Sequence, residues 1–175
     1  MHSEKGSIMI REKLMTSDVK KIEEEIEHRK LVIRKEALES VKEARAHGDL
    51  SENFEYKAAK QYKNQNESRI RYLEKMLKNA EIVEDHWDAD AVGLNSVVEV
   101  FIPEDDEEET YKIVTSIRAN SLKNYISIES PLGKALLGHR IGEVVHVQIN
   151  DAYGYDVEIK KISKSTDEDD QIRGF

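Results

Sequence analysis

HGDLSEN, residues 47–53, breaks a stretch that is otherwise suited to helix. From about Leu14 to Val83 the chain has no proline and is dominated by Glu, Lys, Arg, Ala, Leu and Ile, all tolerable or good helix residues. Before the break, Val19, Ile22, Ile26, Lys30, Ile33, Ala37, Val41 and Ala44 recur in steps of three and four, a single stripe that Lys30 interrupts. After it, Ala58, Tyr62, Asn66, Arg69, Leu73, Leu77 and Ala80 follow the same steps, and Ile70 and Met76 widen the stripe toward its end. Gly48 suits a helix C-cap, and Asp49 or Ser51 suits the N-cap of the next helix. So short a break makes the two helices antiparallel. With roughly 30 residues in each arm, at 1.5 Å per residue, the hairpin should be about 45 Å long, with its turn at the far end.

From Ser96 the apolar period changes to two: Val98, Val100 and Ile102 alternate with Val97, Glu99 and Phe101. The runs TYKIVTSI, NYISIES, EVVHVQI and YDVEIKKI read as further strands, with a hairpin turn over Asp151 to Gly154. PLGKALLG, opening at Pro131, reads as a short helix, because proline suits the first turn and Gly138 suits the stop. The fold class is therefore α+β. The organisation predicted is a long antiparallel coiled-coil hairpin over residues 1–84 with its tip at about 47–53, an acidic linker over 85–95, a β-rich domain over 96–162, and a flexible acidic tail over 163–175.

Composition narrows the function. In 175 residues with about a third charged, no run approaches the roughly 20 apolar residues of a membrane span, and the start lacks the apolar stretch of a secretory signal. A cytoplasmic protein is expected. The absence of cysteine suits a reducing compartment and removes thiolate nucleophiles and cysteine-based zinc sites, so metal chemistry must use oxygen or histidine. A net charge of −9 argues against coating nucleic acid with a generally basic surface. The charge is uneven, however. Lys57 to Lys78 carries seven basic residues against two acidic ones, a net +5, whereas Glu104 to Glu109 reads EDDEEE. Each such run, taken alone, reads as a solvated face.

Asp49 and Glu52 stand three apart at the tip, where two carboxylates can face one target. The plainer reading is a cap: Asp followed three residues later by Glu is close to a capping box, and negative charge there complements the helix dipole. The surrounding residues supply further context. EARAHGDLSENFEYKAAK, Glu43 to Lys60, resembles the tip signature of the GreA/GreB family of transcript-cleavage factors. RIRYLEKMLKNAEIV, Arg69 to Val83, and SPLGKALLGHRIGEVVHV, Ser130 to Val147, extend the resemblance, which covers about Asp18 to Ile162 and is to the GreA type.

The resemblance implies a coiled coil followed by a domain similar to FK506-binding proteins, and a non-enzymatic activity. The protein would dock on bacterial RNA polymerase, reach through the secondary channel, and stimulate the polymerase to cut the extruded RNA 3′ end of a backtracked complex. Asp49 and Glu52 would be the donated catalytic carboxylates that hold a shared magnesium ion. Magnesium prefers oxygen ligands and keeps several waters, so two tip acids suffice only jointly with polymerase, and the isolated protein should not hold the ion tightly. The partners implied are the elongation complex and, through it, the nascent RNA 3′ end and the DNA template; no membrane is involved, and the factor would be a monomer. Lys57, Lys60, Lys63, Arg69 and Arg71 form a basic patch that can approach the RNA. Tyr62 and Tyr72 can stack on bases or pack in a groove. Arg45, Ser51, Asn53 and Tyr56 either shape the turn or touch polymerase, while His47, an imidazole near a turn, stays outside the site.

Two stretches depart from the family pattern. Phe54 stands where a small residue is more usual, and VIRKEAL, Val32 to Leu38, replaces a proline-containing segment. The rival readings are a channel-occupying inhibitor of the same family, a prolyl isomerase suggested only by the second domain's fold, and a coiled-coil scaffold. Against the isomerase, Phe101, Tyr111, Tyr125, Tyr153 and Tyr155 are spread over strands and turns.

Overall fold

The computed structural model describes residues 11–48 and 53–174. Its fold is mixed α+β, in two compact units: residues 19–81 form most of the first, and residues 13–18 with 82–174 form the second.

The first unit is a helical hairpin. Its first arm runs through α1 (Thr16–His28), a π-helical turn (Arg29–Ile33) and α2 (Arg34–Ala46); its second arm is α3 (Phe54–Lys78). The arms are antiparallel, since Glu25 meets Arg69, Arg34 meets Glu67 and Arg45 meets Tyr56. Ile22, Ala37, Val41 and Ala44 are buried on one arm and Ile70, Leu73 and Met76 on the other. The second stripe is rotated near its start, however: Ala58 and Tyr62 are exposed, while Ala59 and Lys63 turn partly inward.

The π turn explains why Lys30 interrupts the first stripe. Arg34 N–H donates to Arg29 O, an i→i+5 bond that widens one turn and shifts the buried face. Asn66, almost fully buried, fits this place. Its Nδ2 donates to Arg29 O at 3.3 Å and its Oδ1 accepts from Arg29 Nη1 at 3.1 Å. Glu25 binds both Arg29 Nε (2.9 Å) and Arg69 Nε (2.8 Å). Burial raises the Glu25 carboxyl, but the two guanidinium bonds outweigh it and hold the group below its usual value. Polar groups of this kind across a helix pair fix register, because a slipped pairing would strand them.

Two short strands, β1 (Lys13–Leu14) and β2 (Glu81–Ile82), pair in parallel: Glu81 N–H donates to Glu12 O, and Val83 N–H to Leu14 O. The second unit is a curled five-stranded sheet of β3 (Ser96–Ile102), β4 (Glu107–Val114), β5 (Tyr125–Ser127), β6 (Val144–Gln148) and β7 (Gly154–Lys164). The order is β5-β4-β3-β7-β6, antiparallel except for the parallel pair β4–β5. The alternation read in β3 is the burial observed, with Val98, Val100 and Ile102 inside. These pack with Ile113, Val145, Val147, Val157 and Ile159 and with Leu132 and Leu136 of α4 (Pro131–Leu136). Ser130 caps α4 by accepting from Gly133 N–H at 3.0 Å. Gly138 ends it at φ +83, against the Trp87 ring, where a Cβ would lie 2.7 Å from the indole.

Three boundaries differ from expectation. Residues 13–18 and 82–84, read as part of the 1–84 hairpin, belong to the second unit. The segment read as an acidic linker joins the core of the second unit: Val92 and Leu94 are buried with it, and Val92 N–H donates to His139 O. The segment read as a free acidic tail is anchored. Ser163 and Lys164 belong to β7, and Asp170 is buried against Lys112 Nζ (2.8 and 2.9 Å) and Arg118 Nη1 (2.8 Å). Arg118, with 1% of its surface exposed, also binds Asp18 Oδ1 (2.7 Å) and Asn95 Oδ1 (2.7 Å), while Asp18 Oδ2 accepts from Thr115 Oγ1 and Met15 N–H. Two buried cations and two buried carboxylates thus bind the segments around Asp18 and Asp170 to the sheet.

Candidate functional site

The turn of the hairpin is framed by two helix ends. At the first, His47 N–H donates to Ala44 O, and Gly48 takes φ +109, a left-handed conformation that glycine adopts without a Cβ penalty. At the second, Asn53 is the N-cap of α3: its Oδ1 accepts from Tyr56 N–H at 3.0 Å. Its Nδ2 donates to Ala44 O at 2.7 Å. One amide thereby satisfies an orphan donor of α3 and an orphan carbonyl of α2.

This corrects the expected cap. Asn53 rather than Asp49 or Ser51 caps α3, because an amide can accept from one arm while donating to the other, and an ionised aspartate can only accept. Asp49 and Glu52, with Leu50 and Ser51, lie outside the described residues. In sequence they fall between Gly48 and Asn53, ahead of the cap.

Arg45 and Tyr56 brace the same end. Arg45 Nη2 lies 3.4 Å from Tyr56 Oη and the guanidinium 5.5 Å from the ring centroid, and this hydrogen bond and charge draw the phenol below its usual value. Phe54, the first residue of α3, is 80% exposed, and Lys57 Nζ lies 5.7 Å from its ring centroid.

The basic set divides. Lys57, Lys60 and Arg71 are exposed and Lys63 is half-buried, whereas Arg69 is buried, paired with Glu25 and stacked over Tyr72 at 5.5 Å. Arg69 is therefore a structural residue of the hairpin and leaves the patch. Tyr72 packs beneath it, and Tyr62 is exposed. Neither Asn53's double bond nor Arg69's burial was read from sequence; the one available signal was that Arg69 falls on the apolar stripe.

In the second unit Phe101 lies against Lys160 and Tyr125 against Lys112 and Lys123, and Tyr153 and Tyr155 form a stacked pair at 6.1 Å. No helix among the described residues is long and apolar enough to cross a membrane.

The helical hairpin and the curled sheet coincide with two family models. The family model described as "Transcription elongation factor, N-terminal" matches residues 13–82, and "Transcription elongation factor, GreA/GreB, C-term" matches residues 87–164. Transcription elongation factor GreA of Lachnoclostridium phytofermentans is 47% identical over 146 residues, covering 82% of this chain and 91% of that protein. GreA of Geobacillus kaustophilus is 48% identical over 136 residues, 77% of this chain and 86% of that one. Among solved structures, GreA factor homolog 1 (Gfh1) of Thermus thermophilus is 30% identical, covers 88% of this chain and 99% of its own, and has a TM-score of 0.41. The chain belongs to the GreA/GreB family of transcription elongation factors.

Proposed function

We propose that this protein stimulates bacterial RNA polymerase to cleave the RNA 3′ end in backtracked complexes, entering by the secondary channel, so that elongation resumes. The β-rich unit docks at the channel mouth, and the hairpin carries its turn inward. Work at polymerase places the protein in the cytoplasm. Lys57, Lys60, Lys63 and Arg71 supply positive charge near the extruded strand, where contacts to phosphate need no base specificity.

The observation that carries the reading is the cap. Because Asn53 itself is the N-cap of α3, that position does not fall to either of the two carboxylates that precede it in sequence, and we assign them to a ligand. Asp49 and Glu52 are an oxygen donor set that fits magnesium, and the protein by itself offers too few ligands to enclose the ion. Asp49 and Glu52, jointly with polymerase, would hold the ion, which would supply activation of a water and stabilisation of developing negative charge. The carboxylates bring negative charge to the polymerase centre, and Asn53, Arg45 and Tyr56 hold the helix ends from which the turn is presented. The protein is then an accessory factor, and the polymerase is the enzyme.

The test is cleavage of a backtracked complex with Asp49→Asn and Glu52→Gln, singly and together. Amides keep the size of the side chains but lose the charge. The double variant should bind polymerase normally and lose most cleavage, while added magnesium partly rescues the single variants. A folded, polymerase-bound double variant that cleaves at the wild-type rate at subsaturating magnesium would end the proposal. A wild-type protein that slows elongation without releasing a 3′ fragment would replace it with the inhibitor reading.

A further inference from the structure

The face of α3 that begins at Phe54 has a composition of its own. Three residues on from the exposed ring, Lys57 opens a shallow groove of about 470 Å³ lined by Lys57, Lys60, Gln61, Asn64, Gln65 and Ser68. These positions recur at helical spacing over about 16 Å of the axis, and they are cations, amides and a hydroxyl. Of the three acids of α3, Glu67 and Glu74 turn to Arg34 and Lys30 on the other arm and Glu55 is exposed next to Phe54, and no carboxylate lines the groove among the described residues. In a chain of net charge −9, such a face is matched to a polyanion. Amides and a hydroxyl bond phosphate and sugar without reading sequence. An exposed aromatic ring flanked by an ammonium group at one end of this track adds a flat surface for a base.

We infer that Phe54 is a stacking platform for an unpaired base at the 3′ end of extruded RNA, with Lys57, Lys60 and the amide groove carrying the phosphates behind it. The inference rests on the function proposed above, and it gives the factor a dependence on the base itself that carboxylate chemistry does not require. Stacking on an aromatic residue tolerates any base, so the discrimination is between a base and none.

The experiment uses the full chain and the cognate polymerase in backtracked complexes assembled on synthetic RNA, ending either in adenine or in an abasic residue. Affinity is measured by titration without divalent metal, so that it does not depend on cleavage. Wild-type protein should bind the adenine complex about tenfold more tightly than the abasic one. Phe54→Ala should bind both equally, at the wild-type abasic level, and Phe54→Trp should restore the difference. The Phe54→Ala melting temperature, measured alongside, should match wild type because the ring is exposed. Equal adenine-to-abasic ratios in wild type and Phe54→Ala overturn the inference. So does an equal loss by Phe54→Ala against polymerase carrying no extruded RNA, which would seat the ring on protein. Adding magnesium then tests cleavage separately: no fragment from either complex counts against the proposed function, while the affinity ratio still decides the role of Phe54.

Discussion

Asp170→Asn should destabilise the second unit far more than a tail substitution ordinarily would. The carboxylate accepts two bonds from Lys112 Nζ and one from Arg118 Nη1, and both partners are buried. The amide removes one of two anions facing two cations, leaving Asp18 as the remaining carboxylate on Arg118, and it turns an NH₂ toward groups that only donate. Removing one partner of a buried pair costs about 3–5 kcal/mol. Taking about 3 kcal/mol, the melting temperature of a unit of roughly 100 residues should fall by about 15 °C. Thermal unfolding followed by circular dichroism measures this, with exposed Asp169→Asn as a control expected to stay near wild type. The pH dependence supplies a second check. Burial raises the Asp170 carboxyl, but its bonds to Lys112 and Arg118 outweigh that, so the folded pKa lies below the ordinary aspartate value of 3.8. Its stabilisation is therefore complete well above that value and is lost as the pH falls through the folded pKa. The gap between wild type and Asp170→Asn should be constant near neutrality and close in acid. Equal melting temperatures for the Asp169 and Asp170 variants would refute the account of the tail as anchored by buried charge.

Three further outcomes follow from other contacts. Asn53→Ala should cost about 1–2 kcal/mol in urea unfolding, because it removes the α3 cap and the partner of Ala44 O, while Asn53→Asp, which keeps only the acceptor, should lose about half as much; no loss in either would dissociate Asn53 from the turn. Lys57→Gln with Lys60→Gln should weaken binding to backtracked complexes and flatten its salt dependence without changing stability, whereas Arg69→Gln should lower stability and leave the salt slope unchanged; the reverse pattern would return Arg69 to the patch. His146 Nδ1 lies 2.8 Å from Asp156 Oδ1 and Nε2 2.8 Å from Gln148 Oε1, an arrangement that favours the imidazolium; the Asp156 bond, then the Gln148 bond, raise its pKa above the usual 6.5. Any stability this cluster adds is present below pH 6.5 and disappears as the pH rises through the folded pKa, and Asp156→Asn should lower the His146 midpoint in an NMR titration; an unchanged midpoint would contradict the geometry.

What the sequence disclosed and what it hid divide along physical lines. Period 3.6 and period 2 are local properties, so both helices, the five strands and the short Pro131 helix were readable from neighbouring residues. The π turn leaves no mark on composition; its trace was Lys30 on an apolar stripe, and its buried partner Asn66 acquires meaning only once the second arm lies alongside. Acidic composition reads as solvent, which is why Val92 and Leu94 between acids, and Asp170 within an acidic run, were assigned to linker and tail. Their burial depends on partners far away in sequence, His139 for the one segment and Lys112 and Arg118 for the other, and no periodicity encodes such pairing. The same limit governs the candidate site. Local rules place the cap on Asp49 or Ser51, and it falls to Asn53 because the second bond, to Ala44 O, comes from the opposite arm. The N-cap position of α3 is taken by an amide, and in sequence two acids precede it that this position does not use. In a sequence otherwise consistent with its fold, that surplus of charge is where a function, rather than stability, is to be sought.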